Sequence, residues 1–299
     1  MAKKQISDVR RFNRTFSQRI GALQESYQKL GLPLGEARLV YEVGTTGIDV
    51  RDLRNRLGLD SGYMSRLLRK LEERKLLATH ASAADARVRR IELTAKGKRL
   101  FADIDRAGDT VAAGLLAPLR PADRQRLIEA MADVERLTRA AAVRIGPEKA
   151  SSPAALWCLN EYFAEIAARF DAGFNPAKGL PAPIAEMTPP RGVFLVARLD
   201  GRPVGCGALI VETGFIGHIR RMWIASEVRG LGLGRRMLDA LEEQAAELQL
   251  RTLRLETNRN LAEARALYQD AGYREVPRFS DEPYAHHWFE KALRRRPAP

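Results

Sequence analysis

The stretch "VRGLGLGRRMLDALEEQ" (residues 228–244) alternates three glycines with bulkier residues, adds two arginines and then reads as a helix. Successive backbone N–H groups at a helix start, with no side chain in the way, hold phosphate oxygens, and the helix dipole favours the negative charge. Gly230, Gly232 and Gly234 supply the bare backbone here. Leu231 and Leu233 supply further amides, and Arg229 and Arg235 supply cations. Three phosphates compete for such a turn. A nucleoside triphosphate needs G-x-x-x-x-G-K-[ST], and the Lys-Ser/Thr pair is missing. A dinucleotide needs G-x-G-x-x-G after a strand; Gly232-x-Gly234 fits and Glu256 ends the next strand, but Met237 stands where the third glycine should be. The third is a pyrophosphate lying along the amides of residues 229–234.

The elements around the turn must position it. "AALWCLNEYFAEIAARF" reads as a helix, and "VFLVARLDGRPVGCGALIVE" as two strands about a tight turn at Asp200-Gly201. "IGHIRRMWIA" is a strand, the turn and a helix over 234–248 follow, and "RTLRLET" is the next strand. "LAEARALYQDAGY" is a helix ending at Gly272, and "YAHHWFEKAL" a last strand. This alternation predicts an α/β domain.

The run Arg229-Gly230-Leu231-Gly232-Leu233-Gly234 fits [QR]-x-x-G-x-[GA]. With "LRLETNRNLAEARALYQDAGY" behind it, residues 155–293 resemble the GNAT acetyltransferase superfamily. The resemblance implies a central mixed sheet and direct transfer of an acetyl group from acetyl-CoA to an amine, with no metal. Such a transfer needs a deprotonated amine, a polarised thioester carbonyl and a protonated leaving thiolate. The resemblance assigns the carbonyl to backbone N–H groups of Met222, Trp223 and Ile224, the general acid to Tyr268, and a place near the cofactor to Asn260. Many relatives carry a Glu base at the start of the strand before the turn. That place is His218 here, and neutral imidazole suits the role near pH 7. Glu212 is the second candidate. Plain readings stand beside these: a core tyrosine, a strand-end histidine and a solvated edge carboxylate. His286, His287 and Trp288 are candidates for the acceptor pocket or for the core.

The chain has 299 residues, room for two domains, and a net charge of +13. Residues 1–150 hold 30 Lys and Arg against 19 Asp and Glu, and the remainder 20 against 18. The basic half therefore expects a polyanion. DNA is favoured over membrane, because no stretch approaches about 18 apolar residues. "MAKKQISDVRRFNRTF" lacks the features of a signal peptide. Cys158 and Cys206 form no CxxC pair and the four histidines show no metal spacing, which fits a reducing cytoplasm. "RIGPEKASSP" (144–153) reads as the joint, giving domains 1–146 and 151–295.

Within the first half, "DVRDLRNRLGL" and "DSGYMSRLLRKLEERKLL" are two helices with a short turn between them, capped by Asp49 and by Asp60 or Ser61. The second sets Met64, Leu67, Leu68 and Leu71 on one side. Ser61, Tyr63, Ser65, Arg66 and Arg69 stand on the other, as a helix reading the major groove requires. A hairpin carrying Arg87, Arg89 and Arg90 follows, suited to phosphates or the minor groove. With "DARVRRIELTAKGKRL", residues 5–140 resemble the MarR family of winged helix-turn-helix regulators. That implies double-stranded DNA as partner, a homodimer interlocked through its first and last helices, Arg87 at the wing tip and Asp85 orienting it. The whole chain is thus expected to be a mainly α winged helix-turn-helix followed by an α/β GNAT fold: a cytoplasmic regulator carrying an N-acetyltransferase whose amine acceptor the residues do not name. The alternative is a catalytically weak domain that senses acetyl-CoA or a small amine and controls DNA binding.

Overall fold

The structure, a computed structural model, describes residues 3–23, 27–81, 88–170, 173–175, 178–179 and 182–293. Its contacts divide the chain into two units, residues 1–132 and 133–299. The first contains α1 (Lys3–Arg19), α2 (Leu34–Val43), β1 (Ile48–Asp49), α3 (Val50–Leu57), α4 (Ser61–Glu73), β2 (Leu77–Ala81), β3 (Arg89–Leu93) and α5 (Ala95–Leu116). Helix α6 (Pro121–Ala142) begins in it. Gly58, at φ +62°, ends α3 and turns the chain into α4, where Asp60 accepts the amide of Tyr63 at 2.8 Å. Asp49 flanks α3 without a side-chain cap bond. It belongs to β1 instead, which pairs with β3, and its carboxylate lies 3.5 Å from Arg90. The sheet order is β1-β3-β2. The apolar face of α4 enters a core with Leu39, Val40, Leu53 and Ile91, because the 3.6-residue repeat brings all four of its apolar positions to one side.

Gly97, in the first turn of α5, lies under the Leu76 carbonyl, and a Cβ there would stand 1.9 Å from that oxygen. Gly→Ala inside a helix ordinarily gains about 1 kcal/mol. Here the clash reverses the sign. Gly97→Ala is expected to destabilise the first unit by about 1–3 kcal/mol, the usual cost of overpacking. Urea unfolding followed by circular dichroism measures it.

The second unit holds β4 (Arg144–Pro147), α7 (Pro153–Arg169), β5 (Gly192–Leu199), β6 (Arg202–Glu212), β7 (Ile216–Ile224), α8 (Leu233–Glu247), β8 (Thr252–Thr257), α9 (Ala262–Asp270), β9 (Arg274–Val276) and β10 (His287–Ala292). They build a sheet of order β4-β5-β6-β7-β8-β10-β9. The segment read as a joint is edge strand β4, paired with β5, followed by the cap of α7, where Ser152 accepts the amide of Ala155. The division lies earlier, inside α6. The last turn of α6 belongs with the sheet, since the Arg236 guanidinium donates to the carbonyls of Ala140 at 2.5 Å and Val143 at 2.7 Å. Proline and serine stand in this segment as cap and edge residues, so composition alone reads as linker.

One feature of the sheet sets up the site. β7 and β8 run parallel but pair only from Ile216↔Thr252 to His218↔Arg254. Beyond that they part. A register shift against β6 lies between Cys206 and Ala208, and Arg221 takes φ +55°. Such a bulge bends and twists its strand. The diverging ends leave backbone and side chains facing an opening.

Candidate functional site

Helix α8 starts beside this opening. Gly232 is its N-cap, and both Gly230 and Gly232 have φ +72°, a conformation costly to any residue with a Cβ. Among the described residues, the backbone N–H groups of residues 230–235 donate to no protein acceptor. Arg236 is the first to bond, to Gly232 O at 3.1 Å. The turn borders a cleft of ≈ 450 Å³. Met222, Trp223, Ile224, Arg229, Gly230, Gly232, Leu233, Gly234 and Arg235 line it, with Glu165 and Arg169 from α7 and Leu261, Ala264 and Leu267 from the α9 region. Two anticipated residues do not. Leu231 packs against the core. Asn260 pins the end of α7, its Nδ2 donating to Arg169 O at 2.9 Å.

The cations of the turn are already engaged. Arg229 Nε donates to Ile224 O at 2.9 Å, bracing the strand end, and its Nη2 donates to Glu165. Arg235 Nε donates to Asp239 at 2.8 Å. Burial pushes the Glu165 carboxyl up, but hydrogen bonds from Arg229, Trp223 and Arg169 outweigh it and hold it below the usual carboxylate range. An anion at this turn would therefore meet backbone amides and a helix terminus more than a free guanidinium.

A second cavity of ≈ 110 Å³ shares Tyr162, Ile166, Met222, Leu261 and Ala264 with the cleft. It occupies the gap between β7 and β8. Tyr268, Glu256, Asn258, Arg220, Arg221, Glu282 and Tyr284 line it too. Tyr268 is 7% exposed, and burial, aided by the nearby Tyr162 and Glu256, raises its pKa. Its phenol is therefore a proton donor throughout the neutral range.

His218 is not free to act as a base. Its Nδ1 lies 2.9 Å from Glu212 Oε1 and its Nε2 2.5 Å from Glu256 Oε2. Burial opposes a charged ring, yet the two carboxylates outweigh burial and raise its pKa. With a carboxylate oxygen on each ring nitrogen, the imidazole has no nitrogen open to a substrate proton. Glu212 faces a separate pocket of ≈ 430 Å³ with Glu186, Arg191 and Arg254, and its hydrogen bond to His218 lowers its pKa despite burial. His286, His287 and Trp288 do not line the Tyr268 cavity. His287 Nδ1 meets Glu275 at 2.7 Å, Trp288 Nε1 donates to Ser280, and the amide of His286 bonds Thr257 O. Tyr284 and Ala285, just before them, line the cavity instead. The sequence pattern does not single out Glu165, Arg220 or Glu282, and it offers Glu256 only as the acid of a dinucleotide site. Charged residues at strand ends and in loops look solvated until the strands are seen to diverge around them.

In the first unit, α4 presents Ser61, Tyr63, Ser65, Arg66 and Arg69 to solvent. Arg66 stacks over the Tyr63 ring at 5.7 Å, and Ser65 Oγ donates back to Ser61 O. Lys70 is held by the buried Glu36 at 2.5 Å. Arg89 is exposed on β3. Arg90 is tied down, its Nη2 donating to Thr46 O at 2.6 Å, so it braces the hairpin base rather than reaching outward. Asp85 and Arg87 lie outside the described residues.

Residues 160–273 match the model of the acetyltransferase (GNAT) family, and residues 30–88 that of the MarR family. An IAA acetyltransferase of Azospirillum brasilense is 42% identical over 27% of this chain and 53% of its own length, so the match spans about half of that relative. The uncharacterized N-acetyltransferase YjgM of Escherichia coli is 28% identical over 42% of this chain and 77% of its own. A solved GNAT-family acetyltransferase of Staphylococcus aureus is similar at 18% identity and TM-score 0.46, covering 51% of this chain and 100% of that one.

Proposed function

We propose, from a MarR-type domain joined to a GNAT acetyltransferase domain, a transcriptional regulator that binds double-stranded DNA and transfers acetyl groups from acetyl-CoA to an amine. The observation that carries the second activity is the row of unengaged amides at residues 230–235, opening on a cleft continuous with the Tyr268 cavity. The amides and the helix terminus fit the pyrophosphate, and the apolar side of the cleft fits the pantetheine arm. When bound, acetyl-CoA supplies an activated acyl thioester. Those backbone amides of residues 222–224 that face the parted β8, away from the β6 ladder, polarise its carbonyl. Tyr268 donates its proton to the departing thiolate.

Tyr268→Phe tests this. It keeps the ring and the packing while removing the proton. With purified full-length protein, acetyl-CoA and a panel of primary amines, thiol release is expected to fall about 10²–10⁴-fold, the range of one acid or base group. The affinity for acetyl-CoA should hold. Undiminished turnover would remove Tyr268 from the chemistry.

The DNA reading rests on the exposed polar and basic face of α4 beside a hairpin bearing Arg89. A homodimer fits the apolar faces left open on the long helices: Ile6, Val9 and Phe12 of α1 are 47%, 59% and 48% exposed, and Ile128 of α6 is 47% exposed. No helix among the described residues is long and apolar enough to cross a membrane.

A second reading, a sensor with little turnover, is favoured by the engaged ring of His218. In that case acetyl-CoA shifts DNA affinity, and DNA shifts acetyl-CoA affinity by the same factor. DNA titrations with and without acetyl-CoA, on a protein that releases no thiol, would support this reading.

A further inference from the structure

We propose that the acceptor amine is carried on a single aromatic ring, and that Phe170, Phe174 and Tyr284 receive this ring; this rests on the acetyl-transfer reading. All three line the cavity between β7 and β8, and none of them lines the cleft beside the glycine turn. They stand away from the border that cavity and cleft share. The body of the acceptor lies at that far end once its nitrogen has reached the border. Phe170 and Phe174 meet edge to face at 5.8 Å, and Phe174 tilts against Tyr284 at 4.9 Å. Such a wall offers both ring faces and ring edges, the contacts by which one more ring is held. The cavity measures ≈ 110 Å³. That is the scale of one ring, since an apolar cavity of about 150 Å³ takes up benzene.

The rings come from separate stretches of chain and are tied together. Tyr284 Oη accepts the amide of Asn175 at 2.9 Å, and the Tyr284 carbonyl accepts from Asn258 Nδ2 at 2.7 Å. Asn258 is 7% exposed. Its Oδ1 accepts the amide of Asn260 at 2.9 Å, and Asn260 Nδ2 donates to the carbonyl of Arg169, the neighbour of Phe170. The two asparagines thus position the loop of Tyr284 against the end of α7. The charges of the cavity favour a body without a second ammonium. Among the described residues that line it, Glu256 and Glu282 are matched by Arg220 and Arg221. Arg220 stands 3.8 Å from Glu256 and 2.9 Å from Glu282. A polyamine would need a surplus of carboxylates for its further charges. Arg221 also lies over the rings of Tyr162 and Phe163, at 5.8 and 5.0 Å, so the protein itself supplies the cation on that side.

The test uses full-length protein, saturating acetyl-CoA, and phenethylamine, cyclohexylethylamine, cadaverine and a short peptide with a free N-terminus. Acetylated product is measured, and acetyl-CoA affinity reports folding. Phenethylamine and cyclohexylethylamine share the amine and the arm, and differ in whether the ring has π faces. Phenethylamine is expected to exceed cyclohexylethylamine in kcat/KM by about five- to tenfold, the worth of one or two ring–ring contacts, and to exceed the other two by more. Phe174→Leu and, separately, Tyr284→Leu keep apolar bulk and remove one ring. Each should raise KM for phenethylamine and bring the ratio of these two amines towards one, with kcat and acetyl-CoA affinity changed less than about twofold. Asn258→Ala should shrink the same ratio, whereas a merely structural role would slow every amine alike. Phenylalanine run beside phenethylamine tells whether an amino acid or a simple amine brings the ring, and a preference for either supports the assignment. A ratio near one in the parent, the highest rate with cadaverine or the peptide, or a ratio untouched in both ring variants would overturn the assignment and leave acetyl transfer standing. Acetyl-CoA binding without acetylated product from any amine tested would overturn the transfer reading, and this assignment with it.

Discussion

Replacing Gly232 by glutamate is expected to weaken acetyl-CoA binding at least about 100-fold, or about 2.7 kcal/mol. Two effects add. Gly232 holds φ +72°, where any residue with a Cβ is strained by about 1–2 kcal/mol. The new carboxylate would also stand beside the amides of residues 230–235, the place proposed for the pyrophosphate, and a negative charge there would repel that ligand. Gly232→Ala separates the two. No atom lies within 4 Å of an added Cβ, so alanine brings backbone strain without a clash and should cost no more than about tenfold. Calorimetric titration of acetyl-CoA into the parent and both variants decides the matter. Equal affinities in all three would mean that no phosphate sits on this turn.

The second large effect is expected in DNA binding. Arg66 and Arg69 are exposed on α4, two of the longest donors on that face. An arginine that reads a guanine edge contributes about 1–3 kcal/mol of discrimination, and one that meets a phosphate contributes mainly a salt-dependent attraction. Arg66→Ala with Arg69→Ala is therefore expected to weaken binding to a sequence selected from a random duplex pool by about 10²-fold or more. The dependence on salt separates the roles. Each lost phosphate contact lowers the slope of log K against log salt by about 0.9, whereas lost base contacts leave the slope and relax the sequence preference. Unchanged affinity at all salt concentrations would remove α4 as the reading helix. Neither substitution touches the core, since the buried side of α4 is Met64, Leu67, Leu68 and Leu71.

The two sites differ in how far they could be read beforehand. The α4 face is local. Its sidedness follows from a 3.6-residue repeat within one helix, and the residues read as exposed are exposed. The glycine turn is local as well, because its conformation depends on residues that lack side chains and on the helix they start. Errors collected where distant segments meet. Arg90 was read as reaching for nucleic acid, but it folds back on Thr46 and Asp49 across the β1–β3 pairing. Asn260, which the resemblance puts near the cofactor, spends its side-chain amide on the end of α7. In both cases a polar side chain found a partner more than 40 positions away.

By itself the sequence determined the two kinds of domain, the exposed polar side of α4, the glycine turn that starts a helix and the place of Tyr268 on the helix after β8. Each depends on periodicity, on backbone freedom or on a motif spanning few residues. Only the tertiary structure decided that residues 144–147 complete a sheet, that His218 is locked between two carboxylates, and that Glu256 of β8 lines the cavity beside Tyr268. The reason is the divergence of β7 and β8. Where two parallel strands stop pairing, the residues brought to the opening come from separate stretches of chain. Their charges are then set by burial and by one another, quantities that no local pattern encodes.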